Sequence, residues 1–196
     1  MKRKPSVALI HYTAPPVVGG VEAVMAAHAR VLRSSGYAVT IFSGRGSEYF
    51  LPSGVDFVKL PLMDSQHSRI QELNLELEKG IIPKEFEIIT AELKNSLESL
   101  LGDFDHVIIH NIFTKHFNLP LTAALASLVN GNVIDNCIAW CHDFTWTSEN
   151  SRHKVRDAYP WDLLKTCNPN ITYVTVSKER QQDLADLFGI QREEVH

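Results

Sequence analysis

An α/β fold with a mostly parallel sheet is what the sequence predicts, and three observations carry that expectation. Short, nearly continuous apolar runs recur at 7–10, 107–109 and 137–141, the pattern of strands buried on both faces of a parallel sheet. Between them lie segments in which apolar residues repeat every 3.6 positions, and strands alternating with helices require right-handed crossovers. Glycine, proline and Asn-Gly signals punctuate the joints. Together these describe a Rossmann-like, doubly wound domain, in which ligands meet the carboxyl ends of the strands.

The elements follow in order. The first strand, 7–10, opens into a loop at 12–18 whose Pro15 and Pro16 forbid strand and helix alike. After Gly19 and Gly20, residues Val21, Val24, Met25, His28, Val31 and Leu32 make one helical stripe, so a helix begins at the glycine pair and stops at Ser34-Ser35-Gly36. A second strand, 37–43, ends in Gly44-Arg45-Gly46. The third, 55–60, is shorter and half polar, which places it near an edge. Residues 64–82 show Ile70, Leu73, Leu75 and Leu77 without a clean period and read as a partly helical excursion. Pro83 opens a helix with Phe86, Ile89, Leu93, Leu97 and Leu100 on one face and Gly102 as its stop. The fourth strand is 105–110. The next helix runs through Pro120, Leu121, Ala124, Leu125, Leu128 and Val129 to Asn130-Gly131. The fifth strand, 137–141, terminates at His142-Asp143, and a loop-rich aromatic segment at 143–162 carries Phe144, Trp146, Tyr159 and Trp161. The sixth strand is 171–176, after which Ser177 caps a helix that turns Leu184, Leu187 and Phe188 inward and stops at Gly189.

Composition narrows the classes. A chain of 196 residues with 44% hydrophobic and 21% charged content holds one substantial core, and a second full domain does not fit. A formal charge of -4 and a pI near 6.1 give no electrostatic footprint for nucleic acid, and the basic residues 1–4 read as a solvated tail. Cys137, Cys141 and Cys167 are odd in number and lack paired metal spacing, no apolar run approaches the roughly 18 residues of a membrane span, and no signal peptide precedes the first strand. The expectation is a soluble protein of a reducing, cytoplasmic compartment.

Chemistry concentrates at strand ends. Backbone N–H groups at a helix start lack partners and carry the positive end of the macrodipole, and Gly19 and Gly20 remove the side chains that would hold a phosphate away. Neither Gly-x-Gly-x-x-Gly nor Gly-x-x-x-x-Gly-Lys-Ser/Thr is present, which weakens an oxidoreductase or Walker reading; the glycines also suit a tight start to a helix packed on the sheet. His142, at the mouth of a buried strand, can donate to a sugar hydroxyl or bond a loop carbonyl. His110 shares that logic, whereas His106 reads as structural. Asp143 can orient His142 only where the strand has ended, since neighbours on a strand point to opposite faces. Glu22 complements the dipole of the first turn. Ser177 is first an N-cap, though its hydroxyl and the N–H groups of Lys178 and Glu179 face the same edge. The aromatics at 144–161 can stack on a sugar or cover the sheet. A Gly-x-Ser-x-Gly nucleophile is absent, and no spacing suggests a metal.

The Pro-containing loop with Gly19-Gly20-Val21-Glu22, the His110-Asn111 strand end, Ala139-Trp140-Cys141-His142-Asp143 and Val174-Thr175-Val176-Ser177-Lys178 together resemble the N-terminal domain of retaining GT-B glycosyltransferases of family 4. The resemblance covers nearly the whole chain and implies one half of a GT-B fold. It implies transfer of a sugar from a nucleotide-diphosphate donor with retention and without a metal. On that likeness Gly19, Gly20, Val21 and Ser177 lie toward the donor diphosphate and His142 is the active-site histidine. Tyr12, Glu22, His110, Asn111 and Asp143 lie on the side of an acceptor, a small molecule, glycan or lipid. The donor-binding half, with its Glu-x7-Glu pair, is missing, so residues 1–196 are expected to be the acceptor-side domain and inactive alone. A stand-alone α/β binding module without catalysis is the competing class.

Overall fold

The computed structural model describes residues 3–196. Its elements are β1 (Ser6–Ile10), α1 (Gly20–Ser34), β2 (Ala38–Ser43), β3 (Asp56–Lys59), α2 (Ser68–Glu78), α3 (Lys84–Leu101), β4 (His106–His110), α4 (Leu119–Asn130), β5 (Cys137–Cys141), β6 (Ile171–Thr175) and α5 (Lys178–Phe188), with short 3-10 turns between them. The six strands form one sheet in the order β3-β2-β1-β4-β5-β6, every neighbouring pair parallel. The half-polar β3 is an edge strand. At the opposite edge the His196 N–H donates to the Tyr173 carbonyl (2.9 Å) and the Thr175 N–H to the His196 carbonyl (2.7 Å), so the last residue runs beside β6. From β1 the chain moves one way to β2 and β3, then crosses back to place β4 on the other flank of β1. The direction of winding therefore reverses between β1 and β4, and a crevice is expected at their carboxyl ends.

Alternation along β1 divides the interior. Val7 and Leu9 join Met25 and Ala29 of α1 with Val39 and Ile41 of β2. Ala8 and Ile10 face the larger core, where Phe42, Val107, Ile109, Ala139 and Tyr173 meet Leu73 and Leu77 of α2, Phe86 and Leu93 of α3, Leu125 of α4 and Leu184 of α5. One face of the sheet thus carries α1 alone and the other carries four helices. Each fully buried large side chain in these clusters contributes roughly 1.5–3 kcal/mol by leaving water.

Three helical readings are corrected. Residues 68–78 form a regular helix that buries Ile70, Leu73 and Leu77; Leu75, which obscured that period, is exposed. In α3 the row Leu93, Leu97, Leu101 is buried and Leu100 is turned outward. In α1 Val31 faces solvent, and Glu22 and Ala29 are buried in its stead. The segment at 143–162 buries Phe144, Trp146 and Trp161 as cover for the sheet, leaving Tyr159 half-exposed against Phe86. Among the described residues no helix is long and apolar enough to cross a membrane.

Candidate functional site

A crevice of about 470 Å³ opens where β1 and β4 end, lined among others by His11, Thr13, Gly20, Glu22, Lys115 and Asp143. Tyr12, Val21 and Asn111 also reach it. Its floor is built by the loop after β1, which the Ala14 N–H to Arg45 carbonyl bond (2.7 Å) holds against the end of β2. Its far wall is the start of α1.

Glu22 is the third residue of α1 and is buried. Its carboxylate accepts a hydrogen bond from the Thr13 hydroxyl and lies 3.9 Å from His11 Nε2. The two glycines before it do different work. A side chain at Gly19 would collide with the Glu22 carboxylate, so glycine there makes room for the acid, whereas the flank of Gly20 is empty. The open approach to the helix start is therefore at Gly20, and the flank of Gly19 is occupied from within the protein. Glu22 also sits where the helix dipole favours a negative charge.

His11 escaped the sequence reading, although the strand-end logic that selected His110 and His142 applies to it equally. It is buried, and its Nδ1 lies 2.9 Å from the His110 carbonyl. A carbonyl only accepts, so Nδ1 carries the proton and Nε2 presents a lone pair. Burial lowers its pKa to about 4, opposed by that backbone bond and by Glu22, and the ring is neutral at pH 7. Lys115 was missed as well, and Thr13 lay within the 12–18 loop without being singled out. The Lys115 ammonium stands 5.0 Å from the centre of the Phe117 ring, and burial pulls its pKa below that of an ordinary lysine, with Asp143 acting in the opposite sense. Tyr12 donates to the Lys115 carbonyl (3.4 Å), which ties the ends of β1 and β4 together.

His110 is a correction. It has no exposure, so it cannot touch an acceptor. Val107 and Ile109 take the larger core, and alternation sends the His110 ring to the α1 side. There it lies against His28 (5.2 Å between centres), His142 (5.9 Å) and Trp140 (6.3 Å). Burial, with the neighbouring histidines, pushes its pKa well below the usual value and keeps it neutral. Asn111 follows in left-handed backbone (φ 63), and its side-chain oxygen accepts from the N–H groups of both His142 (2.8 Å) and Asp143 (3.2 Å). β5 has ended at Cys141, and Asp143 faces the crevice while His142 stands half-buried behind it with Nε2 enclosed. Burial lowers the His142 pKa and the adjacent Asp143 opposes the shift. Ser177 is exposed, two strands from β4, and caps α5 by accepting from the Arg180 N–H (3.2 Å).

The crevice thus sets Glu22 and Asp143 against Lys115 and an Arg45 that lies 3.3 Å from Asp64. It offers an open helix start, two carboxylates and a neutral imidazole to one ligand. Among the described residues no three His, Cys, Asp or Glu side chains converge as metal ligands. A larger crevice, about 810 Å³, lies at the opposite end of the sheet around Arg3, Asp103, Asp105, His106 and Asp135. Asp105 there accepts from Arg3 (2.7 Å), the Ser6 N–H (2.7 Å) and the Ser6 hydroxyl (2.9 Å).

No protein-family model and no curated protein matches the chain. Solved structures do, and the fold class is a Rossmann-like α/β layer matching one half of a GT-B glycosyltransferase. One of them is the crystal structure of WaaG, a glycosyltransferase involved in lipopolysaccharide biosynthesis. It matches 97% of this chain and 44% of its own, with a TM-score of 0.57 and 12% identity. The chain spans less than half the length of that enzyme, and at this identity the likeness is one of fold.

Proposed function

We propose that the chain is the acceptor-binding half of a retaining glycosyltransferase resembling family 4, acting with a nucleotide-sugar-binding half outside residues 1–196. The carrying observation is that the unobstructed helix start at Gly20 and the buried Glu22 and His11 share one crevice at the winding reversal. In this reading the N–H groups at Gly20 and Val21 take the donor diphosphate. Asp143, fixed together with His142 by Asn111, faces the transferred sugar, and His142 backs it. Tyr12, Glu22 and Asn111 lie on the acceptor side, and His11 Nε2 accepts a hydrogen bond from the acceptor hydroxyl. Catalysis then comes from positioning and from stabilising charge on the departing diphosphate, whose oxygen takes the acceptor proton. No step calls on a metal. Ser177 would reach the donor only through the second half.

The test is a transfer assay with a panel of nucleotide-diphosphate sugars, run on this chain and on the protein carrying its donor-binding half, the product anomer read by NMR. The expected result is negligible turnover alone and transfer with retained configuration when both halves are present. Clear turnover by residues 1–196 would overturn the half-enzyme reading, and binding of a ligand without transfer by the two-domain protein would leave a non-catalytic binding module.

A further inference from the structure

The first crevice does not end at Phe117. A second one, about 300 Å³, adjoins it and shares three of its walls, Ser65, Gln66 and Phe117. Phe117 forms the ridge between them. It is 39% exposed and is held there: Asn74 donates to its carbonyl (2.9 Å), and its ring is flanked by Tyr12 (5.9 Å), His116 (4.9 Å) and the Lys115 ammonium (5.0 Å). The floor beyond the ridge is polar and charge-balanced. Lys154 is paired with Glu78 at 2.9 Å, so the groove presents no unpaired cation for a phosphate. The His116 Nδ1 is engaged by the Thr145 hydroxyl (3.0 Å), which leaves Nε2 for a ligand, and burial together with Lys154 and Lys115 lowers its pKa to about 4, keeping the ring neutral. No strand edge borders the groove, so an extended peptide has no ladder to join. The exposed part of the Phe117 ring, with the Lys115 ammonium on one side and neutral or internally paired hydrogen-bonding groups in the second groove, suits a pyranose, whose C–H face covers the ring while its hydroxyls meet the rim.

We propose that the acceptor is a saccharide of at least two rings, the ring next to the reacting one lying on Phe117 and hydrogen-bonding to His116, Gln66 and the Lys154–Glu78 pair. The identity of this ligand as acceptor rests on the glycosyltransferase reading; its seating on Phe117 does not.

The experiment is an NMR amide titration of the protein with methyl glucoside, methyl mannoside, maltose, cellobiose, lactose and mannobiose. At least one disaccharide should bind about tenfold more tightly than its monosaccharide unit, shifting amides at 65–66, 74 and 115–117 along with those of the first crevice. Phe117→Ala should bring that preference to within about twofold, and Phe117→Trp should retain it. A dispersed spectrum of each variant reports that it has folded, and His116→Ala gives a second route to the same loss. Equal affinity for one ring and two, shifts confined to 11–22 and 143, or no disaccharide binding would each overturn the proposal. Disaccharide binding on Phe117 without transfer by the two-domain protein would sink the enzyme reading and leave the subsite. Transfer with no preference for a second ring, unchanged by Phe117→Ala, would do the reverse.

Discussion

The two ends of the sheet make opposite use of acidic residues. At the amino end the larger crevice is walled by Arg3, Asp103, Asp105 and Asp135, yet Asp105 is surrounded by its own donors and ties β1 to the approach to β4. At the carboxyl end the smaller crevice holds Glu22 nearly out of solvent with the Thr13 hydroxyl as its one hydrogen-bond donor, beside a His11 nitrogen that presents a lone pair. Volume does not separate the two. Unspent bonding capacity does, because a buried polar group with a free valence is what a ligand can complete.

The sharpest way to break this contrast is a pair of substitutions. Glu22→Ala should lower kcat/KM of the two-domain protein about 100-fold, while Asp105→Ala should leave it within about twofold and show itself in a lower thermal midpoint. Equal losses from both would erase the distinction. Next in size, Asn111→Ala removes the acceptor for two N–H groups and leaves a non-glycine residue in left-handed backbone, for a loss of about 2 kcal/mol in urea denaturation.

The two ends also separate on a pH axis. His11 and His116 are held neutral with pKa values lowered to about 4, and His28, His110 and His142 are lowered in the same direction by burial. Each folded pKa lies below the ordinary 6.5, so the unfolded chain takes up protons first as the solution is acidified. Stability should be full above about pH 6.5 and decline toward 4, by at most ~1.4 kcal/mol per pH unit for each histidine kept neutral. At the amino end the Ser6 N–H and hydroxyl bonds, with Arg3, hold the Asp105 carboxyl below its ordinary 3.8, so that contribution is lost only in stronger acid. Chemical denaturation at half-unit steps of pH would show one decline between 6.5 and 4 and a second below it. The smallest effect belongs to Ser177→Ala, which should cost about 1 kcal/mol as a lost N-cap and leave saccharide affinity unchanged.

The strands were legible because parallel strands buried on both faces must be apolar throughout, and the third revealed its edge position by being half polar. The α2 helix was obscured by one outward leucine, Leu75, set among the buried Ile70, Leu73 and Leu77. At the site, the strand-end rule pointed to Tyr12, Gly20, Asn111 and Asp143, and the family likeness added Val21 and Glu22; all six line the crevice. The rule failed at His110 for a nonlocal reason. Alternation states that His110 and Ile109 point to opposite faces, but only the packing of α1 over β4 decides that the His110 face is sealed. The tautomer of His11 depends likewise on β1 lying next to β4, a neighbour about a hundred positions away in the chain, whereas the pairing of Glu22 with Thr13 is made within the β1–α1 connection.

Tying His142 and Asp143 to Asn111 through a single amide oxygen makes that bank of the crevice move as one body. On the opposite bank Val18 stands 98% exposed at the crest of its loop. A ligand's arrival should therefore register as altered millisecond exchange of the amides at 17–20 in relaxation dispersion, with 111 and 142–143 silent, so that recognition is a soft wall settling against a stiff one.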